Sequence, residues 1–313
     1  MKPNPLHYIR ALLDQPTAPF CEDSVRAEVI RHLSQFKHVT WMVDSLGNIL
    51  ATYRNEVAHP RWLLSAHMDH PGFVGGEFLG GVPAAVLAKQ FPRKDFGKFA
   101  MWDLPATEIR GGFIHSRACD DLVGCGAILS TFAQLEYTSA KACLMGAFTC
   151  AEEVGLLGAV HICRSGVLPR EIGIISVETS AVRAPAKMHH GVIIRAGDKS
   201  STFDSDLVSE LTDVAVAQGI PFQRCLMSGG TCEATAYRLY GYRVAGACVA
   251  LGNYHNCNPA GGVAPEYVSI KDVEALVKLC SALATRLVPS GGARLLRDRL
   301  ERRLDEEILK RFS

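Results

Sequence analysis

Neither sign of charge dominates this chain: 33 basic residues stand against 32 acidic ones, for a formal net charge of +1. That balance removes the global field with which a protein recruits nucleic acid or an anionic membrane, so neither is expected as a partner. Long apolar runs are missing as well. None approaches the ~18 residues of a membrane span, and Met1–Arg10 has no basic segment followed by an apolar one. A cytoplasmic protein is therefore expected. Internal repeats and low-complexity tracts are also absent. No CxxC pair occurs among the 11 cysteines, their number is odd, and Cys143, Cys150 and Cys248 sit inside apolar runs. Buried free thiols are expected rather than disulfides. Cys119 and Cys257 lie within two residues of Asp120 and His255. They read as small core residues, or as neighbours of whatever those two groups do.

What the chain does have is apolar sequence, 48% against 21% charged over 313 residues, enough for one large core or two unequal ones. Helical spacing over Leu6–Leu13 and Ser24–Phe36 opens it, with Asp23 or Ser24 as a cap for the second helix. Val39–Val43 and Ile49–Tyr53 flank a turn at 45–48 and read as a hairpin. Trp62–Ala66 is a short apolar strand running into His67, Asp69 and Gly72. From Gly72 to Arg117 glycines are frequent, short β-like runs such as Ala85–Ala88 occur, and no helix is expected. Thereafter strands and helices alternate. A helix at Leu122–Leu135 follows Asp120 and Asp121, where a helix N-terminus favours negative charge. Strands are expected at Leu144–Cys150, Ile172–Val177, Val192–Arg195, Phe222–Leu226 and Val244–Leu251. Helices are expected at Leu156–Cys163, Asp206–Gln218, Cys232–Tyr240 and, capped by Ser269, Ile270–Val288. After a break at 289–292, an Arg- and Glu-rich helix over 294–312 places Leu296, Leu300, Leu304 and Ile308 four apart, a stripe that most simply packs on the body. The fold class is α/β, with a small inserted β-rich domain.

Five strand ends or loop starts carry imidazole or carboxylate groups: His67 and Asp69, Asp120, Glu152 and Glu153, Glu178, and His255. Singly, each reads as a core histidine or a solvated acid. Together they matter, because each follows an apolar strand or opens a helix, and such positions converge on one edge of a sheet. Imidazole with carboxylate suits Zn²⁺ or a similar divalent ion, and a carboxylate can bridge two ions where an imidazole cannot. Two ions fit this inventory better than one. Residues two apart on a strand face the same way, so Asp69 is placed to accept the second ring proton of His67.

The ordered segments AHMDHPGF, RACDDLVG, TCAEEVGLLGA, ISVETS, GIPFQRCLMSGGT and GNYHN resemble the cocatalytic dizinc aminopeptidases of peptidase family 42, the glutamyl and deblocking group. The resemblance runs from near the N-terminus to about Val288. It implies a zinc-exopeptidase-like fold with a mixed, largely parallel central sheet flanked by helices. It implies a discontinuous catalytic domain at 1–71 and 118–290, an insertion at 72–117 and a charged helix at 291–313. By the same resemblance His67, Asp120 and Glu178 hold one metal ion, Asp120, Glu153 and His255 hold a second, and Glu152 is the general base. A cis peptide between Asp120 and Asp121 is implied too. Two such ions polarise a scissile carbonyl and acidify a water between them, while a free carboxylate moves the proton. The ions expected are Zn, with Co or Mn as alternatives, and the substrates are short peptides.

Three departures stand out. Glu178 replaces the usual aspartate, as in related dimetal carboxypeptidases. Cys232-Glu233-Ala234 stands where Asp-Ala is typical. The insertion is shorter than the β-rich domain that builds large hollow oligomers in the family, so a homo-oligomer is left open. A carboxypeptidase or N-acyl amino acid deacylase is the alternative hydrolase, and a catalytically silent peptide or metal binder is the alternative outside hydrolases. Glu152 argues against the silent binder, which has no use for a base beside its metals. His189 and His190 read mainly as exposed loop residues, with the border of a substrate cleft as the alternative; His115 reads equally as a surface residue or as a support of the Asp120 region; and a substrate carboxylate is a minor reading for Arg183. The Gly229-Gly230-Thr231 turn lacks the lysine of a phosphate-binding loop.

Overall fold

The computed structural model describes residues 3–286 and 292–311. Four parallel strands form its centre, in the order Ala142–Thr149, Trp62–His67, Gly173–Ala181 and Arg243–Gly252. Almost every residue in them is buried, which is why they read as continuous apolar runs rather than as alternating ones. The flanks are antiparallel: the hairpin Val39–Val43 and Ile49–Asn55 lies on one side, and Glu266–Ser269, Phe113–Ser116 and Glu108–Arg110 lie on the other. Val192–Gly197 and Phe222–Leu226 branch off the Arg243–Gly252 strand. This is the expected mixed α/β sheet with helices against it.

Helix Cys119–Thr138 crosses the centre of the sheet with nearly all its residues buried. Gly126 lets the first helix, Pro5–Leu13, cross it closely, since a Cβ there would meet Ile9 Cα at 2.7 Å. Its start is irregular: Asp120 and Asp121 leave helical geometry and a cis peptide joins them, as the resemblance implies.

The expected insertion, 72–117, divides between two sheets. Gly72–Val74, Glu77–Leu79, Arg93–Asp95 and Phe99–Trp102 make a separate four-stranded sheet, while 108–110 and 113–116 join the large one. One β-like run is corrected: 85–87 lie in a single helical turn, Ala84–Leu87, with Pro83 as its N-cap residue and Ala88 as its C-cap. Alanine and leucine favour helix, and the proline ring presets the entry, so local propensity wins over the surrounding glycines.

All the cysteines are free, and only Cys257 is not buried. The C-terminal helix, Gly292–Arg303, continues through a wider turn to Ile308. The helix does lie against helix Ser205–Ala217, as expected, but its stripe is covered only in part, since Leu296, Leu300 and Leu304 stay about half exposed. Of the expected break at 289–292, residues 289–291 lie outside the described residues, as do Val288 and Phe312, and Gly292 already belongs to the helix. No described helix is long and apolar enough to cross a membrane.

Candidate metal centre

The parallel strands end together, so the groups beyond their ends meet. Register pairs Thr149 with His67, placing His67 beside the loop that carries Glu152 and Glu153. Glu178 lies within the next strand, its Oε1 accepting from Ser176 Oγ at 2.8 Å. His255 follows the fourth strand in a tight turn, at φ 52°. Asp120 stands at the irregular start of its helix.

The Asp120 carboxylate faces both imidazoles. Its Oδ1 is 3.5 Å from His67 Nε2 and its Oδ2 is 3.6 Å from His255 Nε2. Each ring is oriented by a backbone carbonyl: His67 Nδ1 donates to Asp69 O at 3.0 Å, and His255 Nδ1 donates to Gly81 O at 2.6 Å. Both Nε2 atoms therefore present a lone pair to the centre in the neutral tautomer. His255 Nε2 lies 3.1 Å from Glu153 Oε1, yet both atoms are buried without a hydrogen-bond partner. Two orphaned electron-donor atoms facing each other out of solvent are what a cation between them would satisfy.

Electrostatics point the same way. Burial raises Glu152 well above the usual carboxylate range, with His67 opposing and Glu153 adding to the shift. Burial likewise lifts Glu178 to about 7. On the imidazoles burial opposes charge and is the largest single influence, but Glu152, Asp120 and Asp69 around His67, and Glu153 and Asp120 around His255, together outweigh it and raise both well above the ordinary value. Asp120 is shifted down despite its burial, by the two histidines that face its carboxylate. So many acids in one buried place attract positive charge, and a divalent ion supplies it with better coordination than protons do.

Two of the groups that could hold an ion match the expected sets to different degrees. Asp120, Glu153 and His255 bring one ligand atom each within 4.8 Å of one another, as expected for one ion. His67 and Glu178 also come together, but the third carboxylate in their group is Asp121. A further group joins His67 to Glu152 and Glu153. Asp121 was read in the sequence only as part of the acidic pair that opens the helix, not as a ligand; its Oδ2 is buried without a partner, and its Oδ1 accepts from Gly124 N at 3.2 Å.

Asp69 behaves differently from expectation. The ring proton of His67 goes to its backbone oxygen, and its Oδ1 is farther away, at 3.5 Å. Its carboxylate instead receives the N–H of Glu152 at 2.9 Å and of Glu153 at 3.1 Å. The chain turns at the strand end, so the i, i+2 alternation that aligned the two side chains no longer holds there.

Glu266 makes a second clamp of this kind, accepting the N–H of Asp120 at 3.0 Å and of His255 at 2.8 Å. His70 completes it, donating from Nδ1 to Asp120 O at 2.6 Å. The sequence offered no signal for Glu266 beyond a carboxylate 11 residues after His255. Arg195 was read only as the end of a strand, yet it lines the same cavity of about 440 Å³ as the metal-site carboxylates. Arg183 lines that cavity too. His115 and His189 lie off the centre, His189 against Ser269 at 2.9 Å. Of the Cys232-Glu233 departure, Cys232 borders the cavity, whereas Glu233 turns to Ser65 Oγ at 2.9 Å inside the core.

The solved structures share this fold. The TET1 peptidase of Pyrococcus horikoshii, described as assembling into a tetrahedron or a large octahedral shell, is 21% identical with a TM-score of 0.75 over 91% of this chain and 100% of its own. A TET aminopeptidase from a marine sediment Thaumarchaeota archaeon is 19% identical at 0.76, covering 90% and 97%. The aminopeptidase APDkam598 of Desulfurococcus kamchatkensis is 20% identical at 0.76, covering 91% and 96%. No curated protein matches the chain in sequence. The family model for M42 glutamyl aminopeptidases matches residues 94–279. That match covers more than half of the sequence, from within the small sheet to the last long helix, so the chain belongs to the M42 glutamyl aminopeptidase family of metal-dependent peptidases.

Proposed function

We propose that this aminopeptidase works with two divalent ions, Zn²⁺ or else Co²⁺ or Mn²⁺, to remove N-terminal residues from short peptides. The observation that carries the reading is the Asp120 carboxylate, whose two oxygens face two different histidines at 3.5 and 3.6 Å. Asp120 would bridge the ions, with His67 and Glu178 on one side and Glu153 and His255 on the other. The ions would supply a polarised carbonyl and an acidified water.

The protein's own groups do the rest. Asp69 fixes the backbone of Glu152 and Glu153 together, so one acid serves as ligand while its neighbour stays free to move protons. Burial raises Glu152, which suits a group that accepts the water's proton and then releases it to the departing amine. The catalytic domain would comprise 1–71 and 118–290, with 72–117 inserted and 291–313 appended. Gly81 O, from the insertion, holds His255 Nδ1, so the insertion supports the site itself. A cytoplasmic homo-oligomer is in keeping with the absence of a membrane-crossing helix among the described residues and with the assembling TET1 relative.

The test offers free and N-acetylated peptides to the purified protein with each metal. Release of N-terminal residues from free peptides alone is the expected result. Release from the C-terminus would replace this reading by a carboxypeptidase, as Glu178 allows. Release from N-acetyl amino acids would replace it by a deacylase. Bound ions with no turnover would leave a silent binder.

A further inference from the structure

The strand Val39–Val43 ends the large sheet, and no strand of the described residues pairs with its outer side. An unpaired edge offers a row of N–H and C=O groups to any other chain, and folded proteins blunt it with charge, proline or a bulge. The other outermost strands among the described residues are blunted by charge. Glu108–Arg110, Arg93–Asp95 and Glu77–Leu79 each begin or end on an acid or a base, and Phe222–Leu226 carries Arg224. Val39–Val43 reads Val-Thr-Trp-Met-Val and has no such residue. Trp41 is 39% exposed, Met42 50% and Val43 38%, and neighbours along a strand face opposite ways, so apolar surface is open on both faces.

Hydrogen bonds fix which backbone groups are free. Arg54 N donates to His38 O at 2.8 Å and Asp44 N donates to Asn48 O at 2.9 Å, both within the hairpin. Backbone groups of an antiparallel strand alternate between its two sides, so those of Thr40 and Met42 also point inward, and those of Val39, Trp41 and Val43 point outward. This set is symmetric about Trp41. Laid antiparallel to an identical strand with Trp41 on the two-fold axis, it pairs Trp41 with Trp41 and Val39 with Val43 through every outward group. The same register sets Thr40 opposite Met42, so each face gains cross-strand contacts to apolar side chains.

Charge agrees with that direction. Lys37 and His38 precede the strand and Asp44 follows it. Glu136 tempers the basic end, lying 3.0 Å from His38 Nδ1, but Lys37 is exposed. In an antiparallel pair the basic end of each copy meets the acidic end of the other, whereas a parallel pair would align like with like.

We propose that two copies of this chain join through Val39–Val43, so that their large sheets become one. The inference rests on the homo-oligomer reading above, to which it gives an interface, and is independent of the peptidase chemistry. Val39–Val43 runs parallel to Ala142–Thr149, since both are antiparallel to Ile49–Asn55. The metal centre lies at the end of Ala142–Thr149 that faces Glu152, so the two-fold sets the two centres at opposite edges of the joined sheet. Turnover per chain is therefore independent of pairing.

Sedimentation of the full chain over a wide range of concentration is compared with that of Trp41→Lys and Trp41→Pro, which place a charge or remove an N–H at the middle of the edge. The parent is expected to form dimers, or assemblies built from them, and both variants to weaken the pairing about 10- to 100-fold with turnover per chain unchanged. Register is read by mixing Thr40→Cys and Met42→Cys chains under mild oxidation. The mixture is expected to give a disulfide-linked dimer, because facing residues of such a pair bring their Cα atoms to about 4.5 Å. Thr40→Cys alone is not, since Thr40 faces Met42. The parent, whose native thiols are all buried save Cys257, supplies the background.

The cross-link decides the matter even where a Trp41 variant folds poorly. A parent that is monomeric at every concentration overturns both this inference and the homo-oligomer reading. An assembly that persists in both Trp41 variants, or a mixture that cross-links no better than either chain alone, overturns this interface and leaves the homo-oligomer. Paired chains that cleave no peptide sustain the interface and remove the peptidase reading.

Discussion

The two imidazoles that flank Asp120 are held by unlike means. His67 is the last residue of a buried parallel strand, and its ring is oriented by the backbone oxygen of Asp69, two residues on. His255 stands in a turn at positive φ, its ring held by Gly81 of the insertion and its N–H by Glu266. One side of the centre is thus built from local sequence on rigid sheet, the other from three segments that only folding brings together. The difference teaches where fragility should lie: a strand end keeps its ligand through the whole sheet, while the turn depends on a few specific contacts.

Glu152→Gln is the sharpest way to separate chemistry from both sides. Turnover should fall about 10²- to 10⁴-fold with both ions retained, read by steady-state kinetics and by metal analysis. Loss of an ion along with activity would move Glu152 into the ligand set. His67→Ala and His255→Ala come next, each expected to lower the bound metal from two equivalents to one; retention of both ions in either variant breaks the assignment on that side.

Glu266→Gln tests the asymmetry itself. It should weaken one ion about 10- to 100-fold in a competition titration and spare the other, because its partners are the N–H groups of Asp120 and His255. Asp69→Asn should instead lower kcat, because it loosens Glu152 and Glu153 together. Identical effects of the two variants on both ions would end the comparison.

The smallest effect concerns Glu22, which accepts from Ala151 N at 3.0 Å, just before Glu152. Burial, with Asp69 adding like charge, raises it from 4.5 to about 7. A carboxyl with a raised folded pKa favours the folded state fully below its unfolded value, and that contribution is lost as pH rises through the folded one. Glu22→Gln should therefore gain stability relative to the parent between pH 4.5 and 7, by at most about 3 kcal/mol, and no further above. Metal-free thermal unfolding across that range measures it; a constant difference would show that Glu22 titrates normally.

The site was legible in the sequence wherever an apolar run stopped abruptly on a polar group. His67, Glu152 and Glu153, and His255 follow strands in this manner, and Asp120 precedes a helix. Asp69 was found, and its carboxylate does lie 3.5 Å from His67 Nδ1, but the shorter contact to its backbone oxygen and its hold on two amides were not legible, since strand alternation fails once the chain turns. Arg195 was hidden for the opposite reason. It lies inside a strand, and its place beside the cavity depends on Gly246 of a neighbouring strand, which leaves room for its stem. The stripe of Leu296, Leu300 and Leu304 was visible as a pattern, but periodicity states that a face is apolar without stating what covers it.

The amino-acid sequence by itself determined the α/β alternation, the free buried thiols and the Glu152–Glu153 pair. These follow from hydrophobic period and from residue chemistry, which are local. Only the tertiary structure decided that Asp120 faces two histidines, that Asp69 and Glu266 each clamp a pair of backbone amides, and that Arg195 is buried beside the metal-site cavity with its Nε unpaired. Each of these is a distance between segments far apart in the chain. Such distances are set by how the strands order themselves in the sheet, and a single sequence carries no local trace of that order.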